Sequence, residues 1–139
     1  MADIISAIID VLKADAGVAG LAATHVYGDE LAPAAAALMP RAAIVIQASG
    51  GSPFQAASKL KVETQRFDLV AYGASPHEAD RLRRLGYDAL RAIERQVAAG
   101  VLIHWVQSAG GMLAGRDRDG KWPFAFQSFQ TLFASEEIA

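Results

Sequence analysis

Residues 63–97 read ETQRFDLVAYGASPHEADRLRRLGYDALRAIERQV, and this stretch decides the fold. Phe67, Leu69 and Ala71 alternate with Arg66, Asp68 and Val70, the period of two expected of a strand with one buried face. Gly73 ends the run. Ser75, Pro76 and Glu78 then supply a hydroxyl N-cap, a proline at the first helical position and a carboxylate three residues after the cap, the chemistry of a helix start. Ala79, Leu82, Leu85, Ala89, Leu90, Ile93 and Val97 follow at helical spacing and make one apolar stripe. The pattern predicts a strand feeding a helix from Pro76 to Ala98, about 23 residues and roughly 34 Å long.

Toward the N-terminus, Asp3 can cap a helix whose apolar positions are Ile4, Ile5, Ile8, Ile9 and Leu12, with Gly17 as its stop. Val18–Ala22 suits one further turn, and Val26-Tyr27 a short strand or extended entry. Residues 29–40 read as an Ala- and Pro-rich loop with a helical turn through Ala34–Leu38. The run AAIVIQ at 42–47 is a strand near the centre of a sheet. Toward the C-terminus, Val101–Val106 is a third core strand. Trp122–Ala134 is another, with Phe124 and Phe126 on one face and Phe129 and Phe133 on the other, so both of its faces need cover. Two glycine-rich stretches, Ala48–Leu60 and Gln107–Lys121, read as long loops, and loops of more than about 12 residues are usually functional or disordered. Helix, strand, strand, long helix, strand, strand is the order of an α+β domain. It predicts a mainly antiparallel sheet of about four to five strands, with the long helix and the N-terminal helix packed on it.

The chain has 139 residues, 53% of them apolar, enough for one domain (1–139) with a sizeable core. A net charge of −2 argues against a polyanion binder driven by bulk positive charge. Without cysteine there is no disulfide framework, thiolate metal site or cysteine nucleophile. The helix at Ile4–Lys13 lacks a basic leader, and Asp3 and Asp10 interrupt the segment, unlike a targeting segment. No apolar run approaches the roughly 20 residues that cross a bilayer. A soluble protein with no membrane partner is expected.

Catalytic signals are wanting. His25, His77 and His104 have no partner at metal-ligand spacing, and no nucleophile elbow occurs. Gly110 and Gly115 have the glycine spacing of a phosphate-binding loop. Arg116 and Asp117 stand where that motif needs Lys and Ser or Thr, and a carboxylate there repels phosphate. The reading is therefore no enzyme, no cofactor and no metal. On the long helix Arg81, Arg83, Arg84, Arg91 and Arg95 are nearly cancelled by Glu78, Asp80, Asp88 and Glu94, and Asp80 and Arg84 are spaced for an i,i+4 pair. Such a face is normally solvated, with salt bridges between subunits as the sharper alternative. Arg116-Asp117-Arg118-Asp119-Gly120 is a charged hairpin tip, either an exposed turn or an arm that pairs with a neighbour. Phe54, on a glycine-flanked segment, either tucks under its own loop or anchors a partner.

Beyond these local readings, order and spacing carry information over nearly the whole chain: the opening helix with Leu12-Lys13-Ala14-Asp15-Ala16-Gly17, then Val26-Tyr27, Met39-Pro40-Arg41-Ala42 running into Ile44-Val45-Ile46, Arg66–Gly73 with Glu78-Ala79, and Trp122-Pro123-Phe124-Ala125-Phe126. In these the chain resembles the tail-terminator, or tail-completion, family of long-tailed phages and related tail-like or gene-transfer particles. The resemblance implies a small α+β virion protein, made in the host cytoplasm, that forms a homo-hexameric ring on the head-proximal end of the tail tube. There it stops tube polymerisation and meets the head-side connector. The partners implied are its own copies, the tube protein and the connector, with DNA passing through the lumen unread. Phe54, Arg84, Arg116, Asp117, Arg118, Asp119 and Trp122 are the interface candidates. A head-completion ring, and a small ligand-binding α+β domain, are the competing readings.

Overall fold

The computed structural model describes residues 3–31, 33–53, 62–117 and 121–134. Its elements are α1 (Ile4–Ala14), α2 (Ala16–Ala22), β1 (Val26–Gly28), α3 (Pro33–Ala36), β2 (Ala43–Pro53), β3 (Val62–Tyr72), α4 (Pro76–Arg91), β4 (Gln96–Ala98), β5 (Val101–Arg116) and β6 (Pro123–Ala134). The strands form one sheet in the order β1-β2-β3-β6-β5-β4. Every pairing is antiparallel except β1 with β2. The fold is α+β, as its pattern predicts. The sheet has six strands where about four to five were expected, because the three-residue strands β1 and β4 flank it.

Helices α1, α2 and α4 lie on one face. Phe67, Leu69 and Ala71 of β3 point into them and are fully buried, joined by Ile44 and Ile46 of β2, Phe129 and Phe133 of β6, Val101 and Ile103 of β5, Ile8 and Leu12 of α1, and Leu82 and Leu90 of α4. Phe67 and Phe129 are cross-strand partners with stacked rings 5.5 Å apart. Burying each such side chain contributes about 1.5–3 kcal/mol. On the opposite face Phe124 and Phe126 are only half-buried, so the two-faced aromatic pattern of this strand is real and only one face is fully covered by the chain's own helices.

The capping chemistry is as read. Asp3 accepts from the Ser6 amide and hydroxyl at 3.0 and 2.8 Å, which holds its carboxyl below the usual range. Ser75 Oγ accepts from the Glu78 amide at 3.2 Å. Two helix boundaries differ. α1 stops at Ala14, and Asp15 then caps α2 by accepting from the Val18 amide at 3.0 Å, so Gly17 lies inside a helix instead of ending one. α4 runs for 16 residues to Arg91, not to Ala98. Its last turn tightens with Ile93 N donating to Leu90 O at 3.2 Å. Ile93 keeps the phase of the stripe and stays buried, but Val97 sits in β4 and is exposed. Ala99 and Gly100, with φ of 49° and 76°, make the two-residue turn between β4 and β5, which the opposite-handed hairpin turns require.

The largest correction concerns the two glycine-rich stretches. β2 continues to Pro53, and β5 to Arg116, as strands. Their glycines serve bulges: register shifts fall between Ala48 and Gly50, between Ser108 and Gly110, and between Gly110 and Leu113. Gly50, Gly110 and Gly111 have φ of 123°, 96° and 72°, so the extra residues are absorbed without ending the strand. Gly110 and Gly115 are thus strand residues and open no helix, as a phosphate-binding loop would. The rest of the first stretch, with Phe54, lies outside the described residues.

Candidate assembly surfaces

Where α4 crosses β6 and β5, a polar chain ties three elements together. Arg83 donates from Nε and Nη2 to Asp80 Oδ1 at 3.1 and 2.9 Å, and from Nη1 to Gln127 Oε1 at 2.6 Å. Gln127 Nε2 donates to Ser108 Oγ at 2.9 Å, and Ser108 Oγ also accepts from the Gly110 amide at 3.4 Å. Gln127 is fully buried at an inward position of β6, where an unmatched amide would be costly; the guanidinium and the serine satisfy it. Arg84, one residue on, is solvated and pairs with Asp80 Oδ2 at 2.9 Å, the i,i+4 pair expected. Arg83 departs from the expected solvated face, its side chain only 13% exposed. Beside this network lies a cleft of about 320 Å³ lined by Arg83, Arg84, Tyr87, Ser108, Met112 and Gln127. Met112 is 69% exposed and its neighbour Leu113 58%, two large apolar side chains in water.

A second surface forms at the base of the β5–β6 hairpin. Asp117 N donates to Trp122 O at 2.9 Å, and Arg116 Nη1 donates to Lys121 O at 3.2 Å. Arg116 and Asp117 of the expected charged hairpin tip thus stand at the base of the β5–β6 connection, and the rest of that run, 118–120, lies outside the described residues. Trp122 meets Tyr72 edge to face at 6.1 Å, and Phe124 lies 6.4 Å from the same tyrosine. Burial, and then the nearby Asp117 carboxylate, raise the Tyr72 hydroxyl above its ordinary pKa of 10.0. Glu30, Leu31, Ala36, Val45, Gln47, Tyr72, Asp117 and Trp122 line a hollow of about 350 Å³ on this side of the sheet. Both surfaces are shallow and built of aromatic, aliphatic and paired charged groups, composition suited to a protein partner.

The family model of Tail completion protein gp17 matches residues 6–134. The chain belongs to the tail completion protein gp17 family. A chain of the structure titled "Virion of native gene transfer agent (GTA) particle" shares the fold, with a TM-score of 0.66 and 17% identity over 92% of each chain. No curated protein sequence matches this one.

In this tail completion protein, a structural component of the virion tail, Arg116, Asp117 and Trp122 come together at the hairpin base, whereas Arg84 sits on α4 at the cleft. Phe54, Arg118 and Asp119 lie outside the described residues. Sequence reasoning missed Tyr72, Tyr87, Met112, Leu113 and the Arg83–Gln127 link. The one available signal was Gln127 itself, a polar residue in phase with Phe129 and Phe133 and so in need of a buried partner. Among the described residues no group of three or more His, Asp or Glu could hold a metal ion, no helix is long and apolar enough to cross a membrane, and every buried side-chain polar atom has a partner.

Proposed function

We propose that this tail completion protein forms a homo-hexameric ring on the head-proximal end of the tail tube, ends tube polymerisation there and presents a surface to the head-side connector. Membership of the gp17 family over residues 6–134 carries the reading, and the fold shared with a chain from a gene transfer agent virion supports it. A heterologous contact that closes gives a ring, and one that does not gives a filament. A terminator must therefore dock on the last tube ring without copying the tube's own growing face. The exposed Met112 and Leu113, the hairpin base with Arg116, Asp117 and Trp122, and Arg84 on the cleft rim are proposed contacts, and Phe54, Arg118 and Asp119 are proposed as further contacts. A chain with net charge −2 is suited to a lumen that passes DNA, because a strongly basic wall would hold phosphates by counterion release.

The test uses purified tube protein polymerising in vitro. Adding this protein should shorten the tubes in a dose-dependent way, with label at one tube end only. A ring of six 14.7 kDa chains, about 88 kDa, is the expected bound species. Unchanged tube lengths, or label spread along the tube, would refute the terminator reading. A chain that ignores tubes yet binds the portal-side connector would be a head-completion ring instead.

A further inference from the structure

Among the described residues the sheet carries two partly uncovered edges, and they match each other. β1 covers the outer edge of β2 only at Ile44–Ile46, with Asp29 N adding one bond to Ile46 O. Beyond Gln47, no described strand lies against β2 up to Pro53. On the far side, β4 covers β5 only at Val101–Ile103, with Arg95 N adding one bond to His104 O. From Trp105 to Arg116, no described strand lies against the outer edge of β5. Among the described residues, each end of the sheet thus keeps a short covering strand and leaves most of a long one open.

Three properties make these edges complementary. They are level: following the register across the sheet, Ala48 aligns with Phe67, Phe129 and Ser108, and Gly51 aligns with Gln65, Thr131 and Val106. They are opposed: β2 reverses into β3, β3 into β6 and β6 into β5, so β2 and β5 run antiparallel. They lack charged guards: an edge meant to stay single usually carries lysine, inward charge, proline or a bulge. Of these, only the bulges between Ala48 and Gly50 and between Ser108 and Leu113 fall within the described open stretches, short of their ends. Here residues 48–52 are Ala, Ser, Gly, Gly and Ser, and 105–115 hold no charged residue; Arg116 and Pro53 stand only at the ends. Two backbone acceptors in these stretches already take side-chain hydrogen bonds: the Gly50 carbonyl from Gln65 Nε2, and the Trp105 carbonyl from Thr131 Oγ1 at 2.9 Å.

A copy set beside the first, with its sheet continuing in the same sense, brings its open β2 edge level with and antiparallel to the open β5 edge. We infer that neighbouring subunits join by this β2-to-β5 strand pairing, so that the sheet continues from copy to copy. The inference rests on the ring reading and specifies its contact. A second copy is the occupant because a single repeated contact satisfies both edges of every subunit. A foreign strand on one edge would leave the other open. Pairing like edges, β5 with β5, gives two-fold dimers whose β2 edges stay unpaired, and it closes no ring by itself.

The chain has no cysteine, so disulfide trapping starts without background. Ala48→Cys and Ser49→Cys, each combined with each of Gln107→Cys, Ser108→Cys and Ala109→Cys, place thiols on exposed or half-exposed positions of both edges. A disulfide needs Cα atoms about 4.4–6.8 Å apart, so the six pairs sample one-residue slips in register. Particles carrying each variant are oxidised and read on non-reducing gels, with glutaraldehyde cross-linking of the wild-type particle reporting ring size and melting temperature confirming the fold. The inference expects at least one double variant to give a ladder of multimers ending at the ring size, while every single-cysteine variant stays monomeric. A glutaraldehyde ring of six with no disulfide ladder from any pair would overturn the edge pairing and leave the ring standing. Dimers from a single-cysteine β5 variant would overturn it in favour of like-edge pairing. Absence of any ring would refute both readings together.

Discussion

At the scale of single residues, Tyr72 links the hairpin base to the sheet and reports on both. Its ring meets Trp122 edge to face, and burial, then the charge of the nearby Asp117, hold its folded pKa above the ordinary 10.0. For a group raised in the folded state, stability is complete below the unfolded pKa and falls as pH rises from there through the folded value. The chain has three tyrosines. Phenolate absorbance should show a step above the ordinary tyrosine range, and Tyr72→Phe should remove that step and flatten the alkaline loss of stability. A late step that survives the substitution would contradict this assignment. Gly73 makes a different residue-scale point. A Cβ there would lie 2.5 Å from Ala79 N and 2.9 Å from Glu78 C, both backbone atoms of the start of α4, whereas a Cβ on Gly20 in α2 meets nothing within 4 Å. Gly73→Ala should therefore cost about 1–3 kcal/mol in urea unfolding. Gly20→Ala should be neutral or stabilise by up to about 1 kcal/mol.

At the scale of elements, α4 is held to the sheet by apolar contacts and by one polar chain, Asp80–Arg83–Gln127–Ser108. Removing Arg83 alone strands the Gln127 carbonyl in the interior, and removing Gln127 alone leaves Arg83 Nη1 without its acceptor while Nε and Nη2 keep Asp80. Arg83→Met and Gln127→Leu should each destabilise by about 1–3 kcal/mol, and the double variant by clearly less than their sum. Additive losses in thermal or urea unfolding would mean that the two side chains act separately. How much of these elements could be read beforehand follows from how local their causes are. β3 and the start of α4 were legible because alternation and the Ser75 cap act within a few residues. The end of α4 was not: Ile93 and Val97 keep the helical phase, and only the Ala99-Gly100 turn and the pairing of Val97 with Leu102 draw the chain away. Gly50, Gly110 and Gly111 were read as loop glycines because a bulge and a loop ask for the same residue; the partner strand decides between them. The Arg83–Gln127 bond spans 44 positions, and no local pattern records it. Asp117 and Trp122 are bonded across the β5–β6 connection, where the sequence reads a charged hairpin tip with Asp119-Gly120 as its turn signal, whereas the exposed Met112 and Leu113 fall inside a stretch that reads as a loop.

At the scale of the whole molecule, one six-stranded sheet has helices on one face, a half-covered aromatic face on the other, and two long strands reaching past their short neighbours. Those features suit a building block more than a reaction vessel. The gp17 family match over residues 6–134 places the block in the virion tail, and the proposed ring explains how so small a chain could end a polymer: a closed contact stops growth where an open one continues it. The most direct measurement is electron microscopy of particles from cells lacking this gene. The account predicts tails of irregular, overrun length without heads, rescued by the wild-type chain. Tails of normal, uniform length left unjoined would move the protein to the head-completion side, and intact particles would contradict a role in tail completion altogether.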